Sequence, residues 1–384
     1  MQKRIPTVLM RGGTSKGLFF QHNHLPADPE IRNRILLASF GSPDPNQRQI
    51  DGVGGGVSTT SKVAIISPSE SPEYDVVYNF GQVSIDRPIV DYKSNCGNIS
   101  SAVGPFAVDE GLVRAVEPIT RVRIYQKNTD KLITADVPVK NGRFNEAGDY
   151  AIAGVPGTHS RITLGFADPG GALTGRLYPT GNRQDTIPVP PFGEVAVTII
   201  DAANPVVLVR ADDIGLIGIE IDEIDASEDI QRTLESIRCK AAVLVGIAKS
   251  EKEATQRSQA VPKIAFLAPP RPYTSTAGQP LAQTDMDITA RIMSMGTLHR
   301  SYAVSGGIST AGAAMTPGTV AFDLVDDAAR GNDTLRIGHP GGVIDIGARI
   351  KIEGESCTYT QAIVGRTARR LMEGHVLVPE EYFA

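Results

Sequence analysis

The sequence contains no tryptophan, and aromatic residues make up only 5% of its 384 residues. Glycine and proline are plentiful instead, with 39 and 26 copies. A core without large rings relies on Val, Ile, Leu and Ala, and frequent Gly and Pro mark turns between strands. The composition therefore predicts many strands and turns. At about 100–200 residues per domain, the length favours two domains.

Cysteine is also scarce. Cys96, Cys239 and Cys357 are odd in number and widely spaced, which argues against a disulfide framework and favours a reducing, cytoplasmic compartment. The six histidines and three cysteines show no spacing typical of metal ligands. We therefore expect neither a metal nor another cofactor.

Long runs of one residue class are missing as well. No stretch approaches the ~20 apolar residues that span a bilayer, and residues 1–10 are too short an apolar run for a signal peptide. The formal net charge is −5, without a long basic run, so neither a membrane nor a nucleic acid is an expected partner. Nucleotide-binding and serine-hydrolase motifs are not matched either.

The apolar pattern predicts both strands and helices. Strands are expected at 7–10, 18–20, 62–66, 75–85, 122–139 (a hairpin turning at 128–130), 195–201, 206–210, 264–268 and in the tail 334–378. Helices are expected at 26–40, 99–110, 227–239, 286–293, 306–314 and 367–371. The segment 154–191 is rich in Gly and Pro and precedes a domain boundary near residue 185, which gives domains 1–185 and 186–384.

Two predicted helices, starting near 95–102 and 306–313, carry small residues on every side. Such a helix is normally surrounded by protein. We therefore predict an α+β fold of two similar domains, each a rolled, mostly antiparallel sheet around its own central helix. The two helix starts are expected to face one another across a cleft, which makes Ser309 and Thr310 candidate substrate-binding residues.

Cys96 lies just before the first of these helices, within Asn95-Cys96-Gly97-Asn98. Free backbone N–H groups and the helix dipole favour an anion there, which lowers the pKa of a thiol and makes proton exchange possible. The same N–H groups can hold a carboxylate, so the flanking residues Asn95, Gly97 and Asn98 are candidate binding residues. The alternative is a buried structural cysteine.

Lys62 follows a polar, glycine-rich loop and precedes an apolar strand. Partial desolvation at that place favours the neutral amine, which can act as a base. The alternative is a solvated surface lysine.

The glycine-rich turn 11–17 exposes backbone N–H groups, and Arg11 can pair with a carboxylate in a forked geometry. Thr14 and Ser15 in the same turn are further candidates for substrate binding, as is His339, which lies on another glycine-rich turn. The alternative for these segments is turn chemistry alone.

Several ordered motifs resemble the PrpF family, nearly from end to end of the chain. They are MRGGTSKG (10–17), GSPD (41–44), QIDG (49–52), TSK (60–62), NCGNI (95–99), VGPFA (103–107), PTGN (179–182) and IGHP (337–340). The family includes 2-methylaconitate cis-trans isomerase, 4-oxalomesaconate tautomerase and methylitaconate Δ-isomerase. The resemblance implies a diaminopimelate-epimerase-like fold and a cofactor-independent isomerase.

The resemblance also implies that Lys62 and Cys96 form the catalytic pair. The expected reaction is a 1,3-allylic proton shift on a small unsaturated di- or tricarboxylate.

Diaminopimelate epimerases use two cysteines, whereas the second helix here carries Ser309, which disfavours an amino-acid racemase or epimerase. A non-catalytic protein that binds small acids is the other alternative. Residues 128–132 and 154–158 resemble the methylitaconate branch and the tail 366–378 the methylaconitate branch, so the substrate stays open. The base rate for oligomers predicts a homodimer.

Overall fold

The computed structural model describes residues 1–354 and 356–384. The strands within them are β1 (Gln2–Gly12), β2 (Ser15–Gln21), β3 (Lys62–Pro68), β4 (Val76–Val83), β5 (Val90–Asp91), β6 (Ile119–Gln126), β7 (Lys131–Lys140), β8 (Arg143–Phe144), β9 (Ile162–Ala167), β10 (Asp185–Val189), β11 (Gly193–Ala202), β12 (Asn204–Arg210), β13 (Lys263–Ala268), β14 (Tyr273–Thr274), β15 (Pro280–Leu281), β16 (Ile288–Ser294), β17 (Thr297–Leu298), β18 (Thr334–His339), β19 (Gly342–Glu353), β20 (Ser356–Arg366) and β21 (Ala368–Pro379). The helices are α1 (Pro29–Phe40), α2 (Gly97–Asp109), α3 (Asp222–Ala226), α4 (Glu228–Leu244), α5 (Glu251–Arg257), α6 (Val304–Ala314) and α7 (Asp327–Arg330). This mixture confirms the predicted α+β class.

The chain divides into two compact units. Unit 1 comprises residues 1–164 and 365–384, and unit 2 comprises residues 165–364. This division differs from the boundary expected near residue 185. One source of the difference is β21, which pairs antiparallel with the whole of β1, so the C-terminal residues belong to the unit that the N-terminal residues form.

Unit 1 is a sheet rolled around α2. Both β21 and β2 are antiparallel to β1, β2 is parallel to β3, and β3 is antiparallel to β4. β4 is parallel to β6, which is antiparallel to β7. α2 contacts strands β1, β2, β3, β6 and β7, and every residue from Gly97 to Val108 is buried.

Unit 2 repeats this order of strand directions around α6. β11 is antiparallel to both β10 and β12, β12 is parallel to β13, and β13 is antiparallel to β16. β16 is parallel to β18, which is antiparallel to β19. α6 is buried from Val304 to Ala314 and contacts β11, β12, β18 and β19. The predicted pair of rolled sheets with central helices is confirmed.

Small residues are needed where the central helices approach the strands. A Cβ on Gly104 of α2 would lie 2.7 Å from the Val137 Cγ2, and a Cβ on Gly312 of α6 would lie 2.7 Å from the Tyr359 ring. Both contacts are shorter than carbon atoms tolerate, so larger residues would push the sheets away. The small-residue pattern that marked these helices in the sequence therefore has a packing cause.

Helix ends follow the capping pattern of the sequence. The Asp28 Oδ1 accepts from the backbone N–H groups of Glu30 and Ile31 at the start of α1, and the side chain of Ser227 caps α4, close to the helix start expected at residue 227. Because Asp28 is the cap, α1 begins at Pro29 rather than at residue 26. No helix among the described residues is both long and apolar enough to cross a membrane.

Two predicted helices are strands. Residues 286–293 lie mostly in β16, every residue of which is buried, so the apolar run lacks the alternation that marks a half-exposed strand. Residues 367–371 lie mostly in β21, where pairing with β1 overrides the helix preference of Arg and Leu. The helix predictions were wrong in both places because local sequence signals do not show which strands pair in the folded sheet.

Candidate active site

Lys62 is the first residue of β3, and its neighbour across the sheet decides where its amine lies. β3 and β4 are antiparallel, with Lys62 directly opposite Gln82. Opposed residues of such a pair project from the same face, so their side chains meet. The Lys62 Nζ donates to the Gln82 Oε1 over 2.6 Å, and only 6% of the lysine is exposed. The amine is therefore inside the protein, held by a neutral acceptor.

The surroundings of Lys62 favour its uncharged form. Burial lowers the pKa of the amine, and the Cys96 thiol opposes this more weakly through its charge and a side-chain hydrogen bond. Among the described residues, the groups that shift this pKa do not include a carboxylate. The Phe80 ring lies 5.3 Å from the Nζ. A desolvated amine of this kind can act as a base at a lower pH than a surface lysine.

Cys96 is the N-cap residue of α2. Its carbonyl accepts from the Ser100 backbone N–H over 2.9 Å and from the Ser100 Oγ over 3.0 Å. Its side chain makes no capping hydrogen bond and forms no disulfide, so the thiol is left to interact with Lys62. The structure thus brings together the two residues predicted as the catalytic pair, at a helix end that favours negative charge.

β4 contributes three side chains to this region that the sequence analysis did not single out. Tyr78, Phe80 and Gln82 alternate along β4, so they share one face. Tyr78 is fully buried, and its hydroxyl makes no well-formed hydrogen bond in the described residues. Burial and, to a smaller extent, the charge of Cys96 raise the pKa of this hydroxyl well above its usual value, although Ser100 lowers it. The alternation was visible in the sequence, but the register that sets Gln82 opposite Lys62 was not.

The turn between β1 and β2 lies against the first turn of α2. A Cβ on Gly13 would lie 2.2 Å from the Asn98 Oδ1, and the φ of Gly13 is +50°. The Asn98 Nδ2 donates to the Thr14 Oγ1 over 3.1 Å, and its Oδ1 accepts from the Thr14 backbone N–H over 3.4 Å. Asn98 and Thr14 therefore join the turn to the helix, and only a residue without a Cβ fits between them.

Two polar atoms of this hairpin are buried without a hydrogen-bond partner among the described residues: the Arg11 Nη2 and the Ser15 Oγ. The other terminal nitrogen of Arg11, Nη1, donates to the Gly13 carbonyl over 3.0 Å and to the Thr367 Oγ1 over 2.9 Å. Burial lowers the pKa of Arg11, and the charge of Glu146 partly offsets this. An unpaired buried donor costs about 1–3 kcal/mol, and a functional role is one reason for keeping it.

Asn95 and Gly97 flank Cys96 and form the start of α2. The Asn95 Oδ1 accepts from the Ser100 Oγ over 3.2 Å, and Gly97 is buried as the first helical residue. The first backbone N–H groups of a helix have no acceptor within the helix. Unit 1 therefore gathers Lys62, Cys96 and the α2 N-terminus, with the Arg11 to Ser15 hairpin against that helix end.

The candidate residues of α6 lie inside the helix rather than at its start. α6 begins at Val304, with Ala303 as N-cap, and not at residue 306 as predicted. The Ser309 Oγ donates to the Ala202 carbonyl over 2.9 Å, and the Thr310 Oγ1 lies 3.0 Å from the Tyr302 hydroxyl. Ser309 and Thr310 are both fully buried. Their predicted role in binding stays a prediction, and the N-cap of this second helix carries no thiol.

His339 ends β18 and is 2% exposed. Its Nδ1 accepts from the Gly341 backbone N–H over 3.1 Å, and its carbonyl accepts from the Tyr273 hydroxyl over 2.6 Å. These contacts hold the glycine-rich turn in place. The predicted substrate contact of His339 stays a prediction.

No group of three or more His, Cys, Asp and Glu side chains in the described part of the chain is arranged to hold a metal ion.

Comparison with solved structures defines the class of the fold. The crystal structure of methylitaconate-delta-isomerase matches with a TM-score of 0.79 and 45% identity, covering 100% of this chain and 97% of that one. A hydroxyproline epimerase from Agrobacterium vitis matches with a TM-score of 0.54 at 14% identity, covering 98% and 94%. The second likeness concerns the fold alone. Together they confirm the epimerase-like architecture that the sequence predicted.

The sequence comparisons then identify the family. The family model described as PrpF protein matches residues 2–379, and this chain belongs to that family. The chain is 46% identical to 3-methylitaconate isomerase of Eubacterium barkeri (98% of each chain) and 40% identical to 2-methyl-aconitate isomerase of Shewanella oneidensis (99% and 98%). It is 39% identical to 4-oxalomesaconate tautomerase of Pseudomonas putida (98% and 97%). Like these relatives, it is an isomerase.

Proposed function

We propose that this protein catalyses a 1,3-allylic proton shift on a small unsaturated di- or tricarboxylate, with Lys62 and Cys96 as its catalytic pair. The observation that carries the proposal is the buried Lys62 amine, hydrogen-bonded to a neutral amide and beside the Cys96 thiol at the start of α2. A desolvated amine and a thiol at a helix N-terminus are the groups that proton removal and proton return require.

The neutral Lys62 amine removes a proton from the allylic carbon next to a carboxylate. The C–H bond breaks, an N–H bond forms, and the electron pair spreads through the C=C bond into the carboxylate as a dienolate. A proton then returns to the far carbon of the three-carbon unit, either from the Lys62 ammonium group or from the Cys96 thiol, and the double bond moves. In the second case the ammonium group passes its proton to the Cys96 thiolate, which restores both groups. No electrons are gained or lost, so the reaction needs no redox cofactor. Each general acid–base step of this kind contributes roughly 10²–10⁴-fold.

Charge on the carboxylates is the main electrostatic demand of this reaction. The first N–H groups of α2, with Asn95, Gly97 and Asn98 around them, offer fixed donors whose dipoles favour an anion. Two further donors are the Arg11 Nη2 and the Ser15 Oγ, which are buried without a hydrogen-bond partner in the described part of the chain. Preorganised donors stabilise developing charge without having to reorganise during the reaction.

The names of the relatives include three acids. The sequence identity between each relative and this chain sets the order in which the acids are tested. Methylitaconate comes first, because the relative that carries its name is 46% identical, against 40% and 39% for the others.

All three cysteines are free, which supports a cytoplasmic location. The predicted homodimer is tested by light scattering of the purified protein.

The purified, EDTA-treated protein should turn over one of methylitaconate, methylaconitate or oxalomesaconate. Turnover is followed by the change in ultraviolet absorbance of the conjugated acid. In D2O the product should carry deuterium at the carbon that receives the proton, which mass spectrometry measures. Proline and diaminopimelate serve as controls for a racemase, and neither should exchange its α-hydrogen. Binding of the acids without turnover or exchange would instead support a non-catalytic protein.

A further inference from the structure

The amide of Gln82 has only one orientation that satisfies its neighbours. Its Nε2 donates to the Ser61 carbonyl over 2.9 Å and to the Ser58 carbonyl over 3.1 Å. Backbone carbonyls only accept hydrogen bonds, so the amide nitrogen must face them. The Oε1 is then forced toward Lys62, whose Nζ lies 2.6 Å away.

A second buried glutamine, Gln49, binds the segment that supplies these carbonyls. The Ser61 Oγ donates to the Gln49 Oε1 over 2.8 Å, and the same oxygen accepts from the Gly56 backbone N–H over 2.9 Å. Gln49 is 1% exposed and Gln82 is 4% exposed. Two buried glutamines thus connect the glycine-rich loop before β3 to the amine that begins it.

From this geometry we infer that Gln82 is a positioning residue: it engages one hydrogen of the Lys62 amine and so fixes the direction of the nitrogen lone pair. The inference rests on the proposed function, because it assumes that Lys62 is the base. A neutral amine has two hydrogens and one lone pair. When one hydrogen is committed to a fixed oxygen, rotation of the amine about the Cε–Nζ bond is restricted. Gln82 therefore acts through Lys62 and needs no contact with the substrate.

The chemical type of residue 82 also controls the protonation of Lys62. A neutral amide accepts a hydrogen bond from either form of the amine and stabilises the ammonium form only slightly, whereas a carboxylate at the same distance would stabilise that form strongly. A base is useful only when it is unprotonated, so a glutamine serves this position and a glutamate does not. The opposed register of β3 and β4 makes residue 82 the position that decides this.

The test is the pH profile of kcat/KM for wild type, Gln82→Leu and Gln82→Glu, with the acid that the panel assay identifies. If Lys62 is the base, kcat/KM rises with pH through the pKa of its amine to a maximum, and it falls again at higher pH if the Cys96 thiol supplies the returning proton. Gln82→Glu should move the midpoint to higher pH by roughly 1–3 units, as an adjacent opposite charge does. Gln82→Leu should move it to lower pH, because an acceptor that favours the ammonium form is removed. It should also lower the maximal kcat at least about tenfold, which is less than the ~10²–10⁴-fold of a whole general-base contribution because the amine itself is kept.

A purely structural role would not move the midpoints in opposite directions. Gln126→Leu is the matched control, since Gln126 is also fully buried and hydrogen-bonded, to Thr129 over 2.9 Å, and it should keep the wild-type midpoint. Folded Gln82→Glu protein with an unmoved midpoint overturns the inference, even if Gln82→Leu fails to fold. The Lys62→Ala variant distinguishes failure of the proposed base from failure of the inference about Gln82. Unchanged kcat in that variant removes Lys62 as the proposed base, and the inference about Gln82 with it, whereas loss of activity together with unmoved midpoints at residue 82 removes only the inference about Gln82.

Discussion

Units 1 and 2 share a topology but not a set of reactive groups. In each unit an antiparallel hairpin is followed by three strand pairings that are parallel, antiparallel and parallel in turn. The central helix lies in the connection between the two strands of the last parallel pair. The strand after the hairpin begins with Lys62 in unit 1 and with Lys263 in unit 2. The N-cap of the central helix is Cys96 in unit 1 and Ala303 in unit 2.

The two lysines show what the shared topology does not supply. Lys62 is buried against Gln82, whereas Lys263 is half-buried and its Nζ donates to the Ala260 carbonyl over 3.3 Å. A lysine at the start of this strand is therefore not enough to make a base. The proposed base requires burial, a neutral acceptor across the ladder and a thiol nearby, and unit 1 combines these three features at Lys62.

The largest expected difference is in kcat between variants that lack one or the other of these lysines. Lys62→Ala should lower kcat by about 10²–10⁴-fold, because the base of the proton shift is lost, while Lys263→Ala should stay within about threefold of wild type. The measurement is the ultraviolet assay on the identified acid, with circular dichroism to check folding. Similar losses in both variants would contradict the assignment of the chemistry to unit 1.

The hairpin turns give the second comparison. Gly13 and Ala203 both have positive φ, +50° and +62°, but only Gly13 meets Asn98 where a Cβ would be. Gly13→Ala should lower the free energy of unfolding by about 2–4 kcal/mol through strain and overlap. Ala203→Gly should raise it by at most about 1 kcal/mol, since relief of strain is partly cancelled by chain entropy. Urea denaturation measures both values, and equal destabilisation by the two changes would show that the Asn98 contact is unimportant.

Two buried tyrosines give the smallest expected difference. The Tyr302 hydroxyl lies 3.0 Å from the Thr310 Oγ1, whereas the Tyr78 hydroxyl has no well-formed hydrogen bond in the described residues. Tyr302→Phe should cost about 1 kcal/mol of unfolding free energy, and Tyr78→Phe should be neutral or stabilising by up to about 1 kcal/mol. Thermal and urea unfolding of both variants check the difference. Destabilisation by Tyr78→Phe equal to that by Tyr302→Phe would show that its hydroxyl is hydrogen-bonded after all.

Activity of Tyr78→Phe sharpens the same comparison. The hydroxyl lies on the β4 face that also carries Gln82, and the charge of Cys96 contributes to its raised pKa. A stable variant with reduced kcat would indicate that the hydroxyl is retained for function rather than for folding. A stable variant with full kcat would leave the proposed chemistry to Lys62 and Cys96.

The parts of the site that the sequence predicted are those with local signals. Cys96 stands before a helix of small residues, and Lys62 stands between a polar loop and an apolar strand. Gln82 and Tyr78 were missed because their importance depends on which residues lie near them in the folded sheet. The sequence of one strand does not determine its register against a neighbouring strand. Ser309 was placed at a helix start because of the glycines before it, while the helix begins five residues earlier, at Val304.

By itself, the sequence determined the α+β class, the two buried helices of small residues and the family, because each depends on composition, on spacing within one segment or on ordered motifs. Only the tertiary structure decided that residues 286–293 form a strand, that the C-terminal strand completes unit 1, and that the amine of Lys62 lies against Gln82. Each of those outcomes depends on pairing between segments far apart in the chain, and pairing energies that act across the sheet override local preference.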